Sequence, residues 1–339
     1  MSSLGNIDAL PPVAGEAIPA GEAEAIRIIA GVIEKQVRDD KAKSGLARRD
    51  AHAKAHCCVK AEFRVLDGLP PALRAGVFAE PRSFEAWIRF SNGNGAPQSD
   101  GDWDGRGMAI KLMGVEGSPS TTQDFIMINY PVFMVRNAID YIDLQTKGVW
   151  GFFFPGGLRI RLREALVTAG IFFQKVRNPL NLRYWSMVPY RFGGEVACKF
   201  SARPSGTPSP FTDTKGDDFL RANLVRHLSK LPAAFDFMVQ LRTDPAAMPV
   251  EDPTVKWSES RSPFVPVAKI TIPQQSFDTS QQNCFCENLS FTPWHCVDAH
   301  RPLGGINRVR RFVYEFISSL RHQLNQAPRK EPTGFGTDS

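Results

Sequence analysis

Tyr314 follows Arg310 by four residues and precedes Arg321 by seven, so the three side chains share one stripe of a helix. An arginine one turn before a tyrosine favours the phenolate and lowers the phenol pKa. The stripe is therefore a candidate site. The alternative is a tyrosine at a core edge with its arginines in solvent. A second concentration is Arg49-Asp-Ala-His52-Ala-Lys54-Ala-His56, where a histidine could be a general base, a metal ligand or a satisfied structural residue. In Trp87-Ile-Arg89-Phe-Ser91, period-two alternation puts Trp87, Arg89 and Ser91 on one face. Such a face, if buried, needs an anionic or polar partner. Asn129 ends an apolar run that starts at Asp124, and could form a turn or donate a hydrogen bond to a ligand. Cys284-x-Cys286 with His295 and Cys296 could be arranged as a zinc site, although the spacing matches no common finger; small buried thiols are the other reading.

The elements that must position these residues can be read from periodicity. Ile26, Ile29, Val32, Ile33 and Val37 recur at helical spacing, and 41–55 reads as extended or looped. Val59, Ala61, Phe63 and Val65 alternate with polar residues, a half-buried strand. Further strands are expected over 85–91, 107–113, 124–129, 195–203, 236–242 and 265–272, and helices over 135–146, 158–176 and 217–231. A last helix, expected over 307–325, has Val309, Phe312, Val313, Phe316, Ile317, Leu320 and Leu324 as its apolar arc. Many strands with helices at intervals predict an α+β chain, an antiparallel barrel with helical insertions. One domain is expected over 21–326, with a flexible arm at 1–20 and a flexible tail at 327–339.

With 42% hydrophobic and 22% charged residues in 339, the chain can bury a core large enough to enclose a cofactor. That composition excludes disorder, collagen and coiled coil. A formal charge of +6 demands neither nucleic acid nor an anionic membrane. No apolar run reaches transmembrane length, and the start has no basic region followed by an apolar one. With six cysteines and no such signal, a reducing cytoplasm is expected. The basic, apolar stretch from Val149 to Phe173 could touch a membrane; the favoured reading is a helix packed on the barrel with its arginines in water.

Taken together and in order, these segments resemble the haem catalase superfamily. Arg49 with His52-Ala-Lys54 resembles its distal-histidine segment, and Ile88-Arg89-Phe90-Ser91 its arginine-bearing strand. Asp104-Gly-Arg106-Gly107-Met-Ala109-Ile-Lys111 resembles an Asp-x-Arg-Gly-x-Ala-x-Lys run. Asn129-Tyr-Pro131-Val-Phe133 with Arg136 is similar to the distal asparagine and the Pro-x-Phe-x-x-Arg that follows it. Arg310-Arg-Phe312-Val-Tyr314, with Arg321 seven residues on, is similar to the proximal Arg-x-Phe-x-Tyr.

The resemblance implies a haem b cofactor with Tyr314 as axial iron ligand, Arg310 holding the phenolate charge, and Arg49, Arg89 and Arg321 on the propionates. It implies a catalytic trio of His52 as the acid–base residue, Asn129 on the peroxide and Ser91 supporting His52, with His56 as the competing distal histidine. The implied function is a peroxidase or catalase that reduces hydrogen peroxide or organic hydroperoxides through a ferryl-oxo intermediate, with an unknown reductant. After Tyr314 the chain departs from the family's Pro-Asp and His-Arg wording. It is also short, lacks a C-terminal helical domain, and has Ala51 where valine is usual. These departures point to a small, divergent, peroxidase-like branch, akin to allene-oxide-synthase-like hydroperoxide isomerases and dehydratases acting on fatty-acid hydroperoxides. A relative that binds haem without turnover is the non-enzymatic alternative. A homo-oligomer, dimer or tetramer, is expected; a nucleic-acid partner is not.

Overall fold

The computed structural model describes residues 10–155 and 160–336. In chain order these form α1 (Glu22–Ser44), β1 (Ala55–Val65), β2 (Ser83–Asn92), β3 (Arg106–Met113), β4 (Thr122–Ile128), α2 (Ala138–Phe153) and α3 (Leu162–Phe172). There follow β5 (Tyr184–Trp185), β6 (Tyr190–Arg191), β7 (Ala197–Ser205), α4 (Phe219–Leu228), β8 (Ala233–Leu241), β9 (Val265–Ile272), α5 (Ser280–Asn288) and α6 (Gly305–Asn325).

The strands close on themselves. β1 pairs with β2 and β9; β2–β3–β4–β5 continue one way, β9–β8–β7 the other, and β5 pairs with β7 to complete an eight-stranded antiparallel ring, with β6 appended to β7. This is the antiparallel barrel with helical insertions expected from the alternation. Alternation fills the interior: Cys57, Val59, Ala61 and Phe63 of β1 and Ile88 and Phe90 of β2 point inward. There Phe63, Phe125 and Phe237 meet with ring centroids 4.6–6.0 Å apart. The opposite parity of β2 carries Trp87, Arg89 and Ser91, all buried, so the outside of the barrel is covered too.

The cover is helical. Val309, Val313, Ile317 and Leu320 of α6 pack with Ile26, Ile29, Ile33 and Val37 of α1, flanked by Phe312, Phe316 and Leu324. Each such fully buried aliphatic stabilises by about 1.5–3 kcal/mol. With its apolar arc spent on α1, α6 is left with the Arg310–Tyr314–Arg321 stripe facing the barrel.

Several boundaries differ from expectation. α1 runs on to Ser44, and α2 reaches Phe153 through a kink at Gly148 (φ 68°). α3 is shorter than the expected helix, two residues of which (158 and 159) lie outside the described residues. The expected arm is tied down from residue 10: Glu16 bonds Arg301 and Arg308, and the Ala14 amide bonds Glu195. The tail also docks, Lys111 meeting Glu331 at 2.8 Å and the Trp87 indole donating to the Gly334 carbonyl. Residues 1–9 and 337–339 lie outside the described residues.

Candidate active site between the barrel and the last helix

His52 stands just before β1 with a left-handed backbone (φ 59°), a conformation an L-residue holds only when its surroundings impose it. Its amide donates to the Gly93 carbonyl at 3.0 Å, and its carbonyl accepts from Arg89 Nη2 at 2.7 Å. The imidazole Nδ1 lies 3.0 Å from Ser91 Oγ. Burial, followed by the charge of Arg89, lowers the His52 pKa to about 4, so the ring is neutral at pH 7 and free to accept a proton.

His52 lines two adjoining cavities. One, of about 100 Å³, is bounded by Arg49, Arg89, Ser91, Ala109, Ile126 and, from α6, Tyr314 and Arg321. The other, an open chamber of about 500 Å³, is bounded by Trp103, Ile128, Phe133, Phe172, Arg310 and Tyr314 among others. Asp50, Ala51, His52 and Tyr314 belong to both. Period two on β2 and helical spacing on α6 thus converge on one slot.

The slot is cationic where it is polar. Arg49, Arg89 and Arg321 all line it together with Asp50, whose carboxyl pKa burial raises, and Glu287 of α5 stands 3.2 Å from Arg49 and 2.8 Å from Arg321. Burial and then the charge of Arg49 lower the Arg321 pKa to about 10, and the same causes lower that of Arg89. Arg89 Nε and Arg310 Nη1 are buried without hydrogen-bond partners, and Arg49 Nη1 approaches Glu287 without forming a hydrogen bond. Buried unpaired guanidinium donors are costly, and an anion in the slot would satisfy them.

Tyr314 presents its ring to both cavities, with the Arg310 guanidinium 6.0 Å from the ring centroid. The expected lowering of the phenol pKa does not result. Burial raises it, Arg310 only pulls it partly back, and Asp50 pushes it up again. In a dry site desolvation outweighs one arginine at that distance.

Asn129 is not part of this slot. Its carboxamide oxygen accepts the Arg106 amide at 2.8 Å, and its NH₂ donates to Gln174 Oε1 at 3.0 Å and the Ile171 carbonyl at 3.4 Å, in a separate groove. That uses the amide's bonding capacity, and its neighbour Ile128 faces the chamber instead. His56 is also elsewhere: fully buried in β1, it meets Asn92 Oδ1 at 2.8 Å and lines neither cavity. Cys284 is exposed while Cys286 is buried against Cys58, and His295 contacts Asp124 and Lys111. Among the described residues no group of three or more His, Cys, Asp or Glu side chains could hold a metal ion.

Asp50 and Glu287 escaped the sequence reading as site residues. Asp50 sits inside the distal-histidine segment, but nothing in its neighbours marks it as cavity-lining. Glu287 lies in a helix whose Gln281-Gln-Asn283 run has no apolar period.

Residues 31–147 match a family model described as Catalase. The match takes in Arg49, His52, Arg89, Ser91 and Asn129 and ends before α6. A fungal catalase crystal structure superposes with a TM-score of 0.65 at 16% identity, over 86% of this chain and 62% of its own. Catalase A from Saccharomyces cerevisiae gives 0.65 at 16%, over 87% and 67%. A bacterial catalase gives 0.63 at 15%, over 89% and 63%. At that identity the likeness is one of fold. The chain thus spans less than two thirds of the fungal catalase. No curated protein matches the sequence significantly.

Proposed function

We propose that this chain is a member of the catalase superfamily, that its slot holds haem b, and that the protein is a small, divergent peroxidase-like member acting on organic hydroperoxides as well as hydrogen peroxide. One observation carries the reading: three arginines, two of them with incompletely bonded guanidinium groups, line the slot that also presents Tyr314 and outnumber the two carboxyl groups near them, Asp50 and Glu287. A dianionic, flat, apolar ligand with a metal for a phenolate oxygen fits that donor set. Arg49, Arg89 and Arg321 would hold the propionates, and Tyr314 oxygen would ligate iron beside Arg310. Bound haem supplies the two-electron reduction of the peroxide O–O bond.

The chain's own residues handle the proton. Neutral His52, held by Ser91, accepts the hydroperoxide proton and returns it to the leaving oxygen, which departs as alcohol or water. Ala51, Ile128, Phe133 and Phe172 give the chamber a broad apolar wall, and the carboxamides that line it with His52 are those of Asn94 and Gln145 rather than Asn129. The apolar wall favours a bulky apolar hydroperoxide. It equally favours a second reading, isomerisation or dehydration of a fatty-acid hydroperoxide, in which no external donor is consumed.

Haem reconstitution tests the proposal. The expected result is a stoichiometric Soret band with a tyrosinate spectrum that Tyr314→Phe loses, and peroxide cleavage that His52→Ala abolishes while keeping haem. Absence of a Soret band at stoichiometric haem would overturn it, and haem binding without turnover would leave the non-enzymatic alternative. Oxygen evolution from hydrogen peroxide, donor oxidation with a bulky hydroperoxide, and product formation without donor separate the activities.

A further inference from the structure

α2 and α3 take the arrangement expected of them only in part: Phe152, Phe153, Val167 and Ile171 pack on the barrel and Arg163 is exposed. Arg161 turns inward, bridging Asp140 at 3.3 Å and Asp143 at 2.9 Å and lying over the Phe152 ring at 4.4 Å. A second set of apolar residues turns outward: Trp150 is 78% exposed, Trp103 74%, Leu162 and Leu166 64%, Phe173 56% and Phe154 53%. Leu162, Leu166 and Phe173 are spaced four and seven apart, one stripe of α3 continued into its C-cap. Phe173 abuts the Trp103 ring edge-on at 4.4 Å, and Trp150 stacks with Phe154 at 6.4 Å. Trp103 and Val149 also line the chamber that holds His52 and Tyr314, while Leu162 and Leu166 line the neighbouring groove that holds Asn129, so the exposed apolar surface forms a rim that borders both.

We propose that this rim docks on the surface of anionic phospholipid bilayers, so that acyl-chain hydroperoxides pass from the lipid into the chamber. The docking stands on the surface alone; the passage of substrate rests on the peroxidase reading. A ring of Trp, Phe and Leu suits the headgroup–acyl boundary, where aromatic rings partition and aliphatic side chains insert. These side chains are grouped rather than singly scattered, Trp103 meeting Phe173 and Trp150 meeting Phe154. Its margin is basic outward: Lys147, Arg163, Lys175 and Arg177 are exposed, while Asp143 and Asp252 lie lower and pair with Lys147 and Arg163. Asp102 is the exposed acid beside Trp103. Cations around an apolar face complement anionic headgroups. Among the described residues no helix is long and apolar enough to cross a membrane, so the association is at the surface.

The test is co-sedimentation of the full chain with phosphatidylcholine vesicles and with equimolar phosphatidylcholine–phosphatidylglycerol vesicles. Binding is expected to the anionic vesicles, and weakened roughly tenfold by Trp150→Ser/Phe154→Ser and by Leu162→Ser/Leu166→Ser. All four side chains are exposed, so folding is expected to persist, and circular dichroism checks it. In the haem-loaded protein both variants should slow turnover of a vesicle-borne acyl hydroperoxide while keeping that of a small soluble one. Failure of the unmodified chain to bind anionic vesicles, or equal binding by both variants, overturns the docking. Self-association that the variants abolish, with no vesicle binding, also overturns it and makes the rim an interface between copies. If no hydroperoxide is turned over, the peroxidase reading fails, and sedimentation still decides the docking.

Discussion

His52 Nδ1 and Ser91 Oγ stand 3.0 Å apart, and the space that lets them meet is the missing side chain of Gly107. A Cβ there would lie 2.5 Å from Nδ1, 2.6 Å from Cε1 and 2.8 Å from Ser91 Oγ. Gly107 pairs with Ser91 across β2 and β3, so the backbone cannot retreat without breaking the barrel ladder. Gly107→Ala is therefore expected to swing the imidazole. Misplacing an acid–base group by about 1 Å costs on the order of a hundredfold in rate. Haem affinity should change little. Ser91→Ala removes one hydrogen bond of about 1 kcal/mol and should cost only about fivefold. Stopped-flow spectra after peroxide addition, with haem titration alongside, measure both; a fully active Gly107→Ala would mean that His52 is not the proton carrier.

Arg89 joins the two halves of the site, its Nη2 holding the His52 carbonyl and its Nε left unpaired at the slot. Arg89→Leu is expected to weaken haem binding by about tenfold to a hundredfold, the value of a charge-assisted hydrogen bond of about 1.5–3 kcal/mol. Glu287→Gln should act oppositely, because it removes the carboxylate that competes for Arg49 and Arg321. Haem release to a scavenger protein reports both. Equal release rates for Arg89→Leu, Glu287→Gln and the unmodified chain would exclude propionates as the anion of this cluster.

Much of this site is legible in the sequence because it lies on regular elements. Period two on β2 places Arg89 beside Ser91, and the spacing of α6 aligns Tyr314 with Arg310 and Arg321. Other parts depend on partners far along the chain. Asn129 is consumed by Gln174, 45 residues away, and no local pattern announces that contact. The two-residue strands β5 and β6 are too short to show a period, yet β5 closes the barrel. Periodicity does not reveal that α3 is apolar on both sides: Val167 and Ile171 pack on the barrel while Leu162 and Leu166 stay exposed, with Arg161 at its N-cap tied to α2.

Two histidines outside the slot predict acid lability. His56 lies fully buried with Asn92 Oδ1 at 2.8 Å, and His300 Nε2 accepts the Val77 amide at 3.1 Å. Burial lowers both pKa values from 6.5 to about 4. The unfolded chain therefore binds protons that the folded one refuses, and stability present above pH 6.5 is lost as pH falls toward 4. By pH 4 the loss is roughly 3 kcal/mol for each histidine. Urea midpoints measured from pH 7.5 to 4.5 should fall steadily below 6.5, with a shallower slope in His300→Gln. A flat profile would mean that these histidines are protonated in the fold.

Arg308 predicts how α6 is kept in register. At the first turn of the helix its guanidinium meets Glu22 of α1 at 2.8 Å, Glu16 of the N-terminal segment at 2.9 Å and Glu251 at 2.9 Å, while Glu16 and Glu251 also accept the Gly304 and Gly305 amides. Three carboxylates thus converge on one nearly buried cation at a helix N-terminus, whose dipole adds to their stabilisation. Arg308→Met leaves them facing one another and is expected to cost about 3–5 kcal/mol, as expected when one partner of a buried ion network is lost. Arg308→Lys keeps the charge but cannot present a planar fork to three partners, and should fall between the two. Because Tyr314 lies on the same helix six residues on, haem affinity should drop in the same order. Denaturant midpoints with unchanged m-values, together with haem titrations, test this. A methionine variant within 1 kcal/mol of the unmodified chain would show that α1 packing alone holds the helix.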